Sequence, residues 1–416
     1  MPPSSDDRVL YPLDCRWMEL AALPVMADRK RLWTALKDLR PERPMVLFEV
    51  WTLGSDFVSE DELRCQDPFL RDVELNMRRA IRQVEELGDD FVIEPHYRVY
   101  WDITCQQPDF GVGLTETHAD DEHGGQVAYA YNHPIRTPQD TDRLLPRTWT
   151  VDRDHTYARK ARLEEAFGGV LPVDLHGTGG LHAGLTGDLF RLIGNDNLLM
   201  WPYDAPDALH KVMAYLRDDR LAFFRWLEAE NLLGLNNDVE LVGSGSPGYT
   251  TALPQPGSSA PVRLRDLWVW VESQETTMIS PAMFGRFFLP YMAEVAALFG
   301  FVYYGCCEPV HDRWERIEKA IPQVRAVSIS PWCDMAQMGE KLSGERVFSR
   351  KPKPWPISGD TPDFAVLEED LDATLSAARN CPLEIIYRDV YRINADRTRL
   401  RRWVELVRSR IGGSFL

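Results

Sequence analysis

The chain has 416 residues, 44% of them hydrophobic and 27% charged, with a formal net charge of −17. That length suits one large α/β domain or two ordinary ones, and the composition supports a sizeable core and excludes wholesale disorder. The acidic balance speaks against nucleic-acid and anionic-membrane partners, which need clustered Lys and Arg.

The opening stretch MPPSSDDRVLYPLD lacks a basic segment followed by an apolar one, and no run of about 18 apolar residues occurs, so neither a signal peptide nor a membrane span is expected. Cys15, Cys65, Cys105, Cys306, Cys307, Cys333 and Cys381 are scattered and odd in number, which is not a disulfide framework. A reduced, cytoplasmic setting is the expectation.

Residues 1–43 read as an N-terminal extension packing on a domain that spans 44–416. The first apolar run, PMVLFEV (44–50), carries Glu49 at its end, and the amphipathic VELNMRRAIRQVEELG follows. DFVIEP (90–95) ends in Glu94, with His96 just beyond, and leads into a long connection, 97–151. GVLPVDLHG (169–177) places His176 at its end, and the Gly-rich GTGGLHAGLTGDLF after it holds His182. The helical DALHKVMAYLRDDRLAFFRWLEAE precedes LLGLNNDVELVG (232–243), which brings Asn236, Asn237 and Asp238. A second long loop, 244–267, is rich in Gly, Pro and Ser, and WVWVESQET beyond it offers Glu272 and Glu275. FVYYGC (301–306) supplies Tyr304 and Cys306 and runs on into Cys307 and Glu308. RAVSISP (325–331) carries Ser328 and Ser330, ERVFSRKP (345–352) enters the basic SRKPKPW, and LEIIYRDV (383–390) ends in Arg388 and Asp389 before the closing helix TRLRRWVELVRSRI.

Apolar runs alternating with amphipathic helices imply parallel pairing. Eight such runs predict a (β/α)8 TIM-type barrel, with the two long loops over its C-terminal mouth. A doubly wound sheet would place GxGxxG at the first strand–helix turn, and none is there. In a barrel the reacting groups come from the carboxyl ends of the strands, where the polar residues named above recur. Alternation along a strand predicts that only one of Cys306 and Cys307 faces the axis. A thiol there binds zinc, attacks a substrate, or packs as a small apolar group. SRKPKPW is either an anion site or a solvated loop.

Four stretches, LTGDLFRLIGNDNLLMWPYDAPDALHKVMAYL, YGCCEPVHDRWERIEKAIPQVRAVSISPW, VFSRKPKP and EIIYRDVYRINADRTRLRRWVELVR, resemble the uroporphyrinogen decarboxylase superfamily, in its methyltransferase-like branch. The resemblance runs from about residue 40 onward and implies a (β/α)8 barrel. Where the decarboxylases carry an Arg-rich RQAGRY segment, this chain has FEVWTLGSDF, and Glu94 stands where they have an essential Asp. The methyltransferase branch binds zinc through His-x-Cys on the fifth strand and Cys on the eighth. Here the matching positions are Tyr304-Gly305-Cys306 and Arg388-Asp389-Val390.

The resemblance implies methyl transfer between a small substrate and a corrinoid (methylcobalamin-type, carried on a partner protein), with a homodimer as the expected assembly. Cys306 and Cys307 are then the zinc ligands and Glu94, Asp389 and Glu308 the acid–base groups. Glu49, His96, His176, Asn237, Tyr304 and Arg388 position the substrate. The alternative is a metal-independent decarboxylase or related lyase acting on a small acid.

Overall fold

The structure is a computed structural model that describes residues 4–120, 126–258 and 260–414, so residues 121–125 and 259 of the two long connections lie outside the described residues. Six short apolar runs pair in parallel as one sheet. They are β1 (Met45–Phe48), β2 (Trp268–Val271), β3 (Phe301–Tyr304), β4 (Val324–Ile329), β5 (Val347–Arg350) and β6 (Leu383–Tyr387), in the spatial order β1-β6-β5-β4-β3-β2. Helices carry each crossover from β2 to β6, as parallel strands require.

Alternation along the strands sorts the core into two faces. Val46, Phe48, Ile385, Tyr387, Val302 and Val327 join the large cluster formed with the crossover helices. Leu47, Ile386, Tyr303, Ala326 and Val347 point the other way, into a second cluster with Trp268. That second cluster also contains Met26, Trp33 and Leu36. These belong to α2 (Pro24–Lys37), which follows α1 (Ser5–Ala21), a helix opened by a Ser4/Asp7 capping box. The first 43 residues therefore do more than pack on the outside, because α2 fills the space beneath the amino ends of the strands.

Several expected strands differ from the sequence reading. Residues 90–95 form no strand, and a three-residue strand, Tyr97–Val99, follows and pairs with Val173–Leu175. Within 232–243 only Leu241–Gly243 is strand. WVWV, not counted among the eight runs, is β2, an edge of the main sheet. The connection 97–151 holds its own antiparallel pairs, 102–106 with 148–152 and 116–120 with 126–131. The architecture shown is thus mixed α/β around a six-stranded parallel sheet. Backbone contacts continue past both edges: Asp90 N–H donates to Val46 O at 2.8 Å, and Trp270 N–H to Leu181 O at 2.9 Å. Among the described residues no helix is long and apolar enough to cross a membrane.

Large aromatic side chains stand exposed on the loops that leave the carboxyl ends of the sheet. Trp51 follows β1, Trp332 follows β4, Trp355 follows β5 and Tyr391 follows β6. Trp332 and Trp355 stack with centroids 6.1 Å apart.

Candidate active site

The ladder extends one step past the strand ends. Glu49 N–H donates to Tyr387 O at 2.8 Å, Gly305 N–H to Val271 O at 2.8 Å, and Lys351 N–H to Ile329 O at 3.0 Å. Glu49, Glu272, Cys306, Cys307, Lys351 and Arg388 therefore share one rim of the sheet. Gly305 has φ +97°, a conformation that costs glycine little. The turn there breaks strand alternation and brings both thiols to the rim, contrary to the expectation that only one would face it. Their sulfurs are 3.7 Å apart. Cys306 Sγ stands 4.0 Å from Arg388 Nη1, and Cys307 Sγ 4.0 Å from Asp389 Oδ2. Because the Cys306 thiol bonds to Cys307, Cys307 is pulled down and ionises first, while Cys306 is held above the usual thiol range.

Glu49 is 7% exposed, and among the described residues neither of its carboxylate oxygens has a well-formed hydrogen bond, although Trp51 lies against it. Its nearest cation is Arg388, with Nε 3.5 Å from Glu49 Oε2, and that Nε also lacks a hydrogen bond. Burial raises the Glu49 carboxyl above the ordinary range, and Arg388 only partly offsets this. Burial disfavours the charge of Arg388, yet Glu49 and Asp389 hold the guanidinium firmly protonated.

Glu308 is differently placed. Oε1 accepts from Ser273 N–H and Oε2 from Cys306 N–H, both at 2.8 Å. Burial, then the neighbouring Glu272, push its carboxyl up to about 7. Tyr304 bonds the hydroxyl of Ser273 at 3.0 Å, and Ser328 and Ser330 donate to the carbonyls of Cys306 and Glu308. Glu308 and Tyr304 therefore shape the rim turn. Glu272 lies 3.3 Å from His182, beside a cavity of about 240 Å³ that Glu275, Tyr129 and Tyr131 also line.

The other expected site residues gather elsewhere. Glu94 pairs with Lys30 and accepts from the Tyr249 hydroxyl at 3.1 Å. With His96, Trp17, Tyr97 and Tyr100 it lines a separate cavity of about 510 Å³. His176 stands edge-on to Tyr100 and 4.0 Å from Glu240, and burial, then Arg98, lower its imidazole below the ordinary range. None of these three touches Cys306, Arg388 or Asp389. Asn237 fixes a loop by donating to the carbonyls of Leu253 and Thr250. That loop runs differently from the expected cover over the mouth. Ser246 bonds Lys37 and Glu384 inside the sheet, and Thr250 and Thr251 bond Asp38 just after α2.

Comparison with protein-family models and with curated proteins gives no match.

Zinc finds only part of a donor set at this rim. The 3.7 Å sulfur separation suits one edge of a tetrahedron with zinc–sulfur bonds of about 2.3 Å. Asp389, however, approaches Cys307 alone, Glu308 spends both oxygens on backbone N–H groups, and Arg388 brings a cation to Cys306. Among the described residues no group of three or more His, Cys, Asp and Glu side chains stands close enough to hold a metal ion. The described residues do not complete a zinc site.

Sequence reasoning missed two rim features. Lys351 was placed at a strand end and in a basic patch but given no role of its own, and Ser244, whose hydroxyl lies against Cys306, was not singled out. A lysine two places after an interior-facing serine on a strand was the available signal for the first.

Proposed function

We propose that the strands close into a (β/α)8 barrel and that its rim is the active site of a metal-independent lyase, a decarboxylase in the simplest case, acting on a small carboxylic acid. The observation that carries this reading is Glu49, a buried carboxyl without a well-formed hydrogen bond among the described residues, facing an Arg388 Nε that stands 3.5 Å from it and 3.4 Å from Asp389 without a hydrogen bond to either. Buried polar atoms are left open where a ligand completes them. The continuing backbone contacts at Asp90 and Trp270 support closure. Arg388 orients the acid by charge-assisted hydrogen bonds. Glu49, whose carboxyl burial raises above the ordinary range, returns a proton to the carbon left by the departing carboxylate.

The test is release of carbon dioxide from a panel of small mono-, di- and oxo-carboxylic acids, with and without a chelator. Chelator-indifferent release is expected, with kcat lowered about a hundredfold in Glu49→Gln and KM little changed. No release from the panel overturns the reading.

The thiol pair, together with the family resemblance, favours a second reading, methyl transfer. A corrinoid on a partner protein would supply a cobalt nucleophile for the methyl group, with Glu49 protonating the departing heteroatom. Formation of methylcobalamin from reduced cobalamin and O-, N- or S-methyl donors separates this reading from the first.

A further inference from the structure

Lys351 leaves the end of β5 and turns back into the interior, 3% exposed. Its Nζ donates to Ser349 Oγ at 2.7 Å and lies 5.6 Å from the centroid of the Tyr303 ring. Ser349 is in turn bonded to the Tyr303 hydroxyl at 2.8 Å. Among the described residues Lys351 makes no ion pair within 4.0 Å. Lys37, equally buried, is by contrast 2.6 Å from Glu384. An ammonium desolvated this fully without a paired carboxylate is costly, whereas a neutral amine with one hydroxyl partner is not.

We propose that Lys351 is an amine nucleophile that forms an imine with a small 2-oxo or 3-oxo acid, which makes oxo acids the substrate class of this rim. The inference rests on the lyase reading and supplies the electron sink that reading lacks. Burial lowers the amine to about 7. Glu384 of β6 and Glu49 beyond β1 oppose the shift, while Arg388 beyond β6 and Lys37 of α2 add to it.

The Nζ lone pair bonds to the carbonyl carbon and the carbonyl π pair moves to oxygen, which takes the proton lost from nitrogen. Glu49 then protonates that hydroxyl, the carbon–oxygen bond breaks, and water leaves an iminium and the Glu49 carboxylate. For a 3-oxo acid, the bond to the carboxylate breaks next and its electron pair enters the iminium, giving an enamine and carbon dioxide. Water returns a proton to Glu49, which delivers it to the enamine carbon. Hydrolysis frees the amine and returns a proton to Glu49.

The whole chain is incubated separately with glyoxylate, pyruvate and acetoacetate in the presence of cyanoborohydride, and adducts are mapped by peptide mass spectrometry. At neutral pH an amine titrating near 7 carries about a hundredfold or more free base than an ordinary lysine, so labelling concentrates on Lys351 and rises as pH passes through about 7. Labelling no greater at Lys351 than at the surface residue Lys211 overturns the proposal, and this needs no variant to fold. Carbon dioxide release that persists in Lys351→Met without any adduct overturns the imine and leaves the lyase reading. An adduct without carbon dioxide release overturns the lyase reading alone.

Discussion

Glu308 is held by two backbone N–H groups that favour its anion and by a burial that disfavours it, and burial prevails. Its folded value of about 7 lies above the ordinary 4.5, so between these values the folded state binds more protons than the unfolded one. Stability from this group is therefore lost as pH rises from 4.5 through about 7. Glu308→Gln flattens that part of the profile, read as the thermal midpoint against pH and compared with wild type. The thiols make a second prediction. Cys307 is partly exposed and ionises first, so a slow alkylating reagent modifies it before the buried Cys306, and Cys306→Ala slows the reaction by removing the donor. Cys306, Arg388, Asp389 and Glu49 were legible as rim residues because each sits just past an apolar run. The reach of both thiols was not, because it depends on the backbone reversal at Gly305.

At the scale of elements, α2 is fixed to the sheet by a pair with no exposed surface. Lys37 Nζ lies 2.6 Å from Glu384 Oε2, and Ser246 donates to the other oxygen at 2.8 Å. Burial works against both charges. Lys37 and Lys351 nevertheless hold Glu384 below the usual carboxylate range. Lys37→Met leaves that carboxylate buried with only the more distant Lys351 amine for support, and should cost about 3–5 kcal/mol in urea unfolding. The double change Lys37→Met with Glu384→Leu should recover most of the loss. Strands β1, β3, β4, β5 and β6 were readable from continuous apolar runs, as expected for strands covered on both faces. The run 90–95 misled for a physical reason. Asp89 and Asp90 accept the N–H groups of Phe48 and Val46 through their carboxylates, replacing a ladder by side-chain bonds. β2 was overlooked because it follows a long loop with no helix to announce it.

Across the whole molecule, distant parts of the sequence converge on Asp90. It receives Arg43 through two nitrogens at 2.8 and 2.9 Å, Arg408 of the helix Thr398–Ser414 at 2.6 Å, and the N–H of Val46 in β1. Asp90→Ala strands two arginines and should cost about 3 kcal/mol or more. Limited proteolysis should then cut near Thr398–Ser414 before any other helix, and equal cleavage in wild type would contradict this. The α/β class and the one-sided placement of polar residues could be read before any coordinates. The separation of Glu94, His96 and His176 from the rim could not, because it depends on how 90–100 and 173–180 leave the main sheet.

The stacked pair Trp332 and Trp355 gives the rim an optical label of its own. Two indoles 6.1 Å apart and inclined by 29° couple their transition dipoles, so the protein should show an exciton couplet in circular dichroism. A small acid settling beside loops that follow β4 and β5 would disturb that couplet and the emission of these exposed rings. Entry could then be followed in the untouched protein, without dye, turnover or any assumption about the chemistry that comes after.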